Sequence, residues 1–263
     1  MARFCPLFSG SSGNSMYFAS GGCGFLIDIG MSAKKMESAL SAIDVDPSSL
    51  SGIFITHEHI DHVRGLKVFA SRYHMKVFAT KGTLEALEEM GQIAPGMDIR
   101  PIFSGGVELD GMEVIPFRTS HDCRESCGYI IHTTDGRVAA VATDLGTVDN
   151  TVRNAIRGSD LVVLESNHDV RMLQNGRYPY PTKRRILSDT GHLSNETCSM
   201  ELPELVRSGA TRLVLAHLSR ENNLPELAIQ TSLSELTMAG MRREVDFQLL
   251  VAPKENNQGV LLF

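Results

Sequence analysis

Residues Thr56-His57-Glu58-His59-Ile60-Asp61-His62 crowd three imidazoles and two carboxylates into one short stretch. Such groups gain little from one another in water unless a cation gathers them, so a metal ion is the natural organiser. Just upstream, Gly52-Ile53-Phe54-Ile55 reads as a short, apolar, buried strand. Downstream, Leu66, Phe69, Ala70 and Tyr73 recur at helical spacing. The pattern predicts a strand, a ligand loop holding His57 and His59, and a helix entry holding Asp61 and His62, with the four side chains able to face one point.

Composition frames this motif. At 263 residues, with 42% hydrophobic and 21% charged content, the chain can bury a full core, expected as a single α/β domain over residues 1–263. No run approaches the ~18 apolar residues of a membrane helix, and Pro6 with the Gly/Ser-rich loop after it breaks any signal-peptide core. Five cysteines without framework spacing fit a reducing compartment. A cytoplasmic protein without a membrane partner is expected. Cys123 and Cys127 lie near His121, but no second pair completes a four-ligand set, and they read as small thiols. The formal net charge of -6 argues against a uniformly basic nucleic-acid protein, although bound dications would concentrate positive charge in one cleft.

Acid or imidazole recurs directly after apolar strand patterns: at His57, at His121 after Met112 to Thr119, at Asp144 after Arg137 to Thr143, at Glu165 after Leu161 to Leu164, and at His217 after Arg212 to Ala216. Groups placed at strand ends collect along one edge of a sheet. Earlier, Gly10 to Ser15 fits either an anion-binding nest or a hairpin turn, and Asp28, among apolar neighbours, either supports the metal loop or caps a local turn. Asp135-Gly136 is a hairpin signal. Val245 to Val251 and Gly259 to Phe263 read as closing strands, and Pro203 is expected to interrupt a helix that Ser194 caps.

This inventory suits a two-metal hydrolase, whose ions stand about 3.5–4 Å apart. His57, His59 and His121 can bind one divalent ion, Asp61, His62 and His217 the other, with Asp144 bridging and zinc or manganese as the metal. A bridging hydroxide is then the nucleophile, and the surplus positive charge favours an anionic substrate. Between Arg171 and Arg185 lie Arg171, Arg177, Lys183, Arg184 and Arg185 with Tyr178 and Tyr180. These are expected to form a substrate-binding loop in which basic groups grip phosphates and tyrosines stack on bases.

His57, His59, Asp61, His62, His121, Asp144 and His217 resemble, one by one, the His-x-His-x-Asp-His motif and later ligands of the metallo-β-lactamase superfamily. Gly24 to Gly30 is similar to its early strand, with Asp28 and Thr56 supporting the ligands. The resemblance implies a four-layer αββα sandwich with the metals at one edge. Gly10 to Ser15, Glu165 to Asp169, Gly191 to Asn195 and His217 to Asn223 further resemble the YycJ (WalJ)-like branch, which implies a 5′-to-3′ DNA exonuclease. Nucleic acid is the implied partner, contacted by Ser11, Ser12, Asn14, Ser219, Asn222 and Asn223 as well as by Arg177, Tyr178, Lys183 and Arg184. Similarity to RNA-processing relatives makes Glu165 with His192, or His168 with His192, the pair that assists the leaving group, so Asp61, His192, Glu165 and His168 are the catalytic candidates. An RNA-processing nuclease and a small-molecule ester, thioester or lactone hydrolase are the alternatives. A structural metal site would be closed and four-coordinate, unlike this ligand set.

Overall fold

Apolar runs bounded by turn residues set out strands β1 (Arg3–Phe8), β2 (Ser15–Ser20), β3 (Cys23–Ile27), β4 (Leu50–Phe54), β5 (Lys76–Ala79), β6 (Asp98–Pro101), β7 (Val107–Leu109), β8 (Met112–Arg118), β9 (Cys127–His132), β10 (Val138–Ala142), β11 (Leu161–Glu165), β12 (Arg212–Ala216), β13 (Gln248–Val251) and β14 (Leu261–Leu262). The helices are α1 (Ala33–Ser41), α2 (Ile60–Val63), α3 (Leu66–Tyr73), α4 (Lys81–Glu89), α5 (Asn150–Ile156), α6 (Val170–Asn175), α7 (Tyr180–Ile186), α8 (Asn195–Arg207) and α9 (Pro225–Met238). This computed structural model describes residues 1–256 and 259–263. The chain forms two compact units, the first from Met1–Pro116, Cys123–Arg137 and Pro253–Phe263, the second from Phe117–Asp122 and Val138–Ala252.

In the first unit the strand order β14-β1-β2-β3-β4-β5-β6 is antiparallel from β14 to β3 and parallel from β3 to β6. One buried cluster joins Met36 and Leu40 of α1, Phe69 of α3 and Leu87 of α4 to Leu26, Ile53 and Val77 of the sheet. Another row of side chains, Phe4, Phe18, Phe25, Phe54 and Phe78, crosses five neighbouring strands with successive ring centroids 4.8 to 5.9 Å apart. Tyr129 of β9 meets Phe54 edge-on, and its hydroxyl donates to the Ile55 carbonyl at 2.6 Å. These contacts hold the end of β4, where the histidine motif begins. Because β3 and β4 are parallel with Ile27 opposite Phe54, Asp28 and Thr56 emerge side by side.

Parallel pairing does the same in the second unit, where β10, β11, β12 and β13 run together. Ala142 is in register with Leu164, and Leu164 with Leu215. Asp144, Glu165 and His217 therefore leave the sheet at one level, as the strand-end pattern predicts.

The structure departs from the sequence reading in three places. Residues 171–175 and 180–185 lie in two short helices, α6 and α7, and only 176–179 connect them as a loop: the Asp169 carboxylate caps α6 by accepting from Met172 N at 2.7 Å, and Pro181 stands in the first turn of α7. Helix α8 runs through Pro203, because Cys198, Ser199, Leu202 and Leu205 bury its inner face and outweigh the lost backbone donor. The strand expected from Val245 starts only at Gln248, with Val245 exposed. The weakly patterned β6 and β7, whose side chains are largely exposed or half-buried, escape a reading based on apolar runs. No helix among the described residues is long and apolar enough to cross a membrane.

Candidate metal centre

In the first unit the motif is organised by a buried carboxylate. Asp28, at φ +60 beyond β3, accepts from Thr56 N and Thr56 Oγ1, each at 2.8 Å, and pairs with His62 Nδ1 at 2.7 Å. The Thr56 hydroxyl, having donated to Asp28, accepts from His57 Nδ1 at 3.0 Å. Both rings thus carry their proton on Nδ1, which makes Nε2 the lone-pair nitrogen. The rings of His57 and His62 lie 4.1 Å apart, and those of His57 and His59 4.6 Å apart. Burial raises the Asp28 carboxyl above its ordinary range against the opposing pull of His62, so a nearby cation would favour its charged form.

The Gly10 to Ser15 loop folds onto this motif. Asn14 Oδ1 accepts from Gly10 N at 2.8 Å, which turns Nδ2 to within 3.0 Å of His62 Nε2 and 3.4 Å of Asp61 Oδ2. Asn14 N also donates to Asp61 O, and Gly30 N to Asn14 O. A Cβ on Gly30 would stand 1.7 Å from Asp61 O, so only glycine permits this approach. Ser11 is exposed, while Ser12 is half-buried and accepts from Arg64 through its carbonyl. Glu58, the motif's other carboxylate, accepts from Arg124 N at 2.7 Å and ties down the Cys123–Cys127 segment. The Cys127 thiol is buried against the Ile55 and Thr56 carbonyls, and burial pushes it up to about 12, which suits a protonated packing group.

The second unit repeats the device with Glu165. Its Oε1 accepts from His192 Nδ1 at 2.8 Å and His217 Nδ1 at 2.7 Å, and its Oε2 from Leu145 N and Leu193 N at 3.0 and 3.2 Å. Burial alone would raise this carboxyl, but the two imidazoles outweigh it and hold the group well below the usual carboxylate range. Ligand atoms of Asp144, Glu165, His192 and His217 lie within 4.8 Å of one another. Glu165 is already committed to four hydrogen bonds, so it orients the imidazoles, and Asp144 and His217 suit a metal better. Both of these residues sit at positive φ, +56 and +57. His121 donates from Nδ1 to the Gly191 carbonyl at 3.1 Å, beside the Arg185–Asp122 ion pair. That carbonyl contact has no side-chain signal in the sequence.

The remaining candidates are distributed around this half. His168 is buried, and among the described residues neither ring nitrogen has a hydrogen-bond partner. Its burial lowers the imidazole to about 4. Asn223 is buried with its amide donating to Ser166 O, Asn167 O and Asn195 Oδ1, and Asn222 N donates to Ser219 Oγ at 3.2 Å. These contacts fix the loop after His217 through Ser166 and Asn195, which the sequence marked only as parts of family-like stretches and not as site residues. Lys183 donates to Gln174 O, Tyr178 is half-buried, and Arg177 and Arg184 are exposed.

Comparison with known proteins bears directly on this arrangement. Residues 25–218, drawn from both units, match the beta-lactamase superfamily domain. Exodeoxyribonuclease YycJ of Bacillus anthracis is 40% identical over 86% of each chain. The chain belongs to the YycJ/WalJ family of that superfamily. Exodeoxyribonuclease WalJ of Streptococcus pneumoniae serotype 2 is 35% identical over 94% of this chain and 93% of its own. In fold, this YycJ/WalJ-family member is similar to the metallo-beta-lactamase fold protein YhfI from Bacillus subtilis, with a TM-score of 0.73 and 13% identity over 99% of this chain and 98% of that one. The expected metallo-β-lactamase-like α/β fold is therefore the observed one.

Replacing Asp28 by Asn should leave the fold intact but lower metal affinity about 10- to 100-fold, read by competition with a chromophoric chelator, because His62 loses its charged acceptor. An unchanged affinity would show that Asp28 does not set that ring's tautomer. The low value at His168 has a signed consequence as well. Its stabilising contribution is complete above the unfolded value of 6.5 and is lost as pH falls through about 4, a change on the order of 3 kcal/mol. Urea unfolding between pH 7 and 4 should show that slope in the wild type and lack it in His168→Asn.

Proposed function

We propose that the chain is a two-metal phosphodiesterase that removes nucleotides from a 5′ end of DNA, a cytoplasmic 5′-to-3′ exodeoxyribonuclease in which residues 1–263 act as one domain. The observation that carries this reading is the single Glu165 oxygen shared by His192 and His217. One carboxylate thereby serves two imidazoles, one suited to a metal ion and the other to moving a proton. The names of YycJ and WalJ as exodeoxyribonucleases support the polymer substrate.

In this reading His57, His59 and His121 would hold one divalent ion and Asp61, His62 and His217 the other, with Asp144 as a further carboxylate donor. Imidazole and carboxylate donors fit zinc or manganese. Ions held there supply charge neutralisation for a phosphodiester and a water acidified toward neutral pH. With its Nδ1–H donated to Glu165, His192 presents Nε2 as the nitrogen that holds and releases a proton. It gives that proton to the departing sugar oxygen, the usual work of a general acid. Exposed Arg177 and Arg184, with Lys183 and Tyr178, track the strand beyond the cut. A small-molecule ester, thioester or lactone hydrolase would need no such basic segment; an RNA-processing nuclease would use it equally, so the substrate polymer must be tested.

Metal-loaded protein should shorten 5′-phosphorylated DNA, and Asp61→Ala with His62→Ala should abolish the cutting. His192→Ala should keep both ions but lose turnover about 10²- to 10⁴-fold. Cleavage of RNA alone would transfer the assignment to RNA processing. Inertness toward every polymer, together with turnover of a thioester or lactone, would sink the nuclease reading.

A further inference from the structure

The second unit contains a cleft of about 570 Å³ lined by Met172, Asn175, Gly176, Arg177 and Glu221. That volume lies in the range of small-molecule sites. Its two walls are the chain segments that leave the Glu165 pair: α6 follows its cap, Asp169, shortly beyond Glu165, and Glu221 follows shortly beyond His217. The walls are tied together. Asp169 N donates to the Asn222 carbonyl at 2.9 Å, and a Cβ on Gly176 would stand 2.6 Å from Asn222 Oδ1. The backbone bond from Asp169 to Asn222 sets the start of α6 against the loop, and the Asn222 side chain lies beside Gly176 at its end, so the chain itself forms the cleft.

The lining chemistry is mixed in an informative way. Arg177 and Glu221 are both exposed, and among the described residues neither has an ion-pair partner, although they line the same cleft. Asn175 spends one amide hydrogen on the Arg171 carbonyl at 2.9 Å, which fixes its side chain and leaves its amide oxygen as an acceptor. Met172 is half-buried and supplies a polarizable apolar surface suited to an aromatic face. One cationic donor, two acceptors and one polarizable face are complementary to a nucleotide. Arg171 and Arg220, exposed and also without ion-pair partners among the described residues, add positive charge on the same two segments.

We propose that this cleft is a subsite for one nucleotide of the DNA strand, with Arg177 on its phosphate, Met172 against its base, and Asn175 and Glu221 on the base edge. The proposal rests on the nuclease reading and deepens it. A carboxylate accepts from the exocyclic amino group of cytosine, adenine or guanine, whereas thymine offers carbonyl oxygens on either side of a single N–H. The subsite therefore favours cytosine over thymine, and Glu221 is the residue that discriminates.

Fluorescence anisotropy of metal-loaded, full-length protein with labelled phosphorothioate dC and dT single strands, across a range of salt concentrations, tests this. The wild type should bind dC about fivefold more tightly than dT. Arg177→Ala should weaken both about tenfold and reduce the slope of log affinity against log salt by about 0.7, the loss of one phosphate contact on a single strand. Glu221→Gln should bring the dC and dT affinities together while keeping the salt slope. Equal binding by wild type, Arg177→Ala and Glu221→Gln, in a protein that still cuts DNA, would overturn the subsite and leave the nuclease reading standing. A wild type that binds neither strand and cuts no polymer would instead overturn the nuclease reading.

Discussion

An imidazole offers Nε2 to a metal ion only when its proton is held on Nδ1, and a buried acceptor must hold it there. In each unit the orienting oxygens are supplied by the chain itself, and in the second unit two imidazoles share one of them. His62 uses the Asp28 carboxylate, His57 the Thr56 hydroxyl, His217 and His192 the Glu165 carboxylate, and His121 the Gly191 carbonyl. Without those acceptors the rings could turn or exchange tautomers, and the crowded side chains would be a polar cluster with no common purpose. The two carboxylates are therefore as decisive as the imidazoles they orient.

Backbone geometry carries part of the cost of this arrangement. Asp28, Asp144 and His217 all adopt positive φ, a region that L-residues enter at a cost of order 1–3 kcal/mol. All three lie just beyond a parallel strand whose register is set by buried apolar neighbours. The sheets over-determine these positions and hold them against local preference. The aromatic row from Phe4 to Phe78, joined by Tyr129, contributes the rigidity needed at the end of β4.

Chemistry and recognition are divided along the chain. Glu165 ends β11 and His217 follows β12 in the second unit, while α6, α7 and the loop after His217 carry cationic and acceptor groups on exposed surface. The loop is not slack, because Asn223 and Asn195 bury their amides beneath it and Asn222 binds both Ser219 and Asp169. A catalytic unit that must accept successive nucleotides of one strand benefits from such a fixed rim, since the geometry need not be rebuilt at each step.

The primary sequence alone determined the family and most element positions and pointed to the acids and imidazoles at strand ends, because apolar periodicity and metal-donor types are local properties. Leu66–Tyr73 and Arg212–Ala216 coincide with the segments read from residue patterns. It also suggested Asp28, Thr56, Glu165 and His192, while leaving open what each would touch. It read residues 171–185 as a loop because charge dominated their composition, whereas the Asp169 cap and Pro181 make all but 176–179 helical. Only the tertiary structure decided that one Glu165 oxygen serves two imidazoles, that a backbone carbonyl orients His121, and that Met172 and Glu221 share a cleft. Hydrogen-bond direction and backbone approach depend on segments far apart in sequence, and no local pattern records which distant oxygen will lie within 3 Å of a given nitrogen.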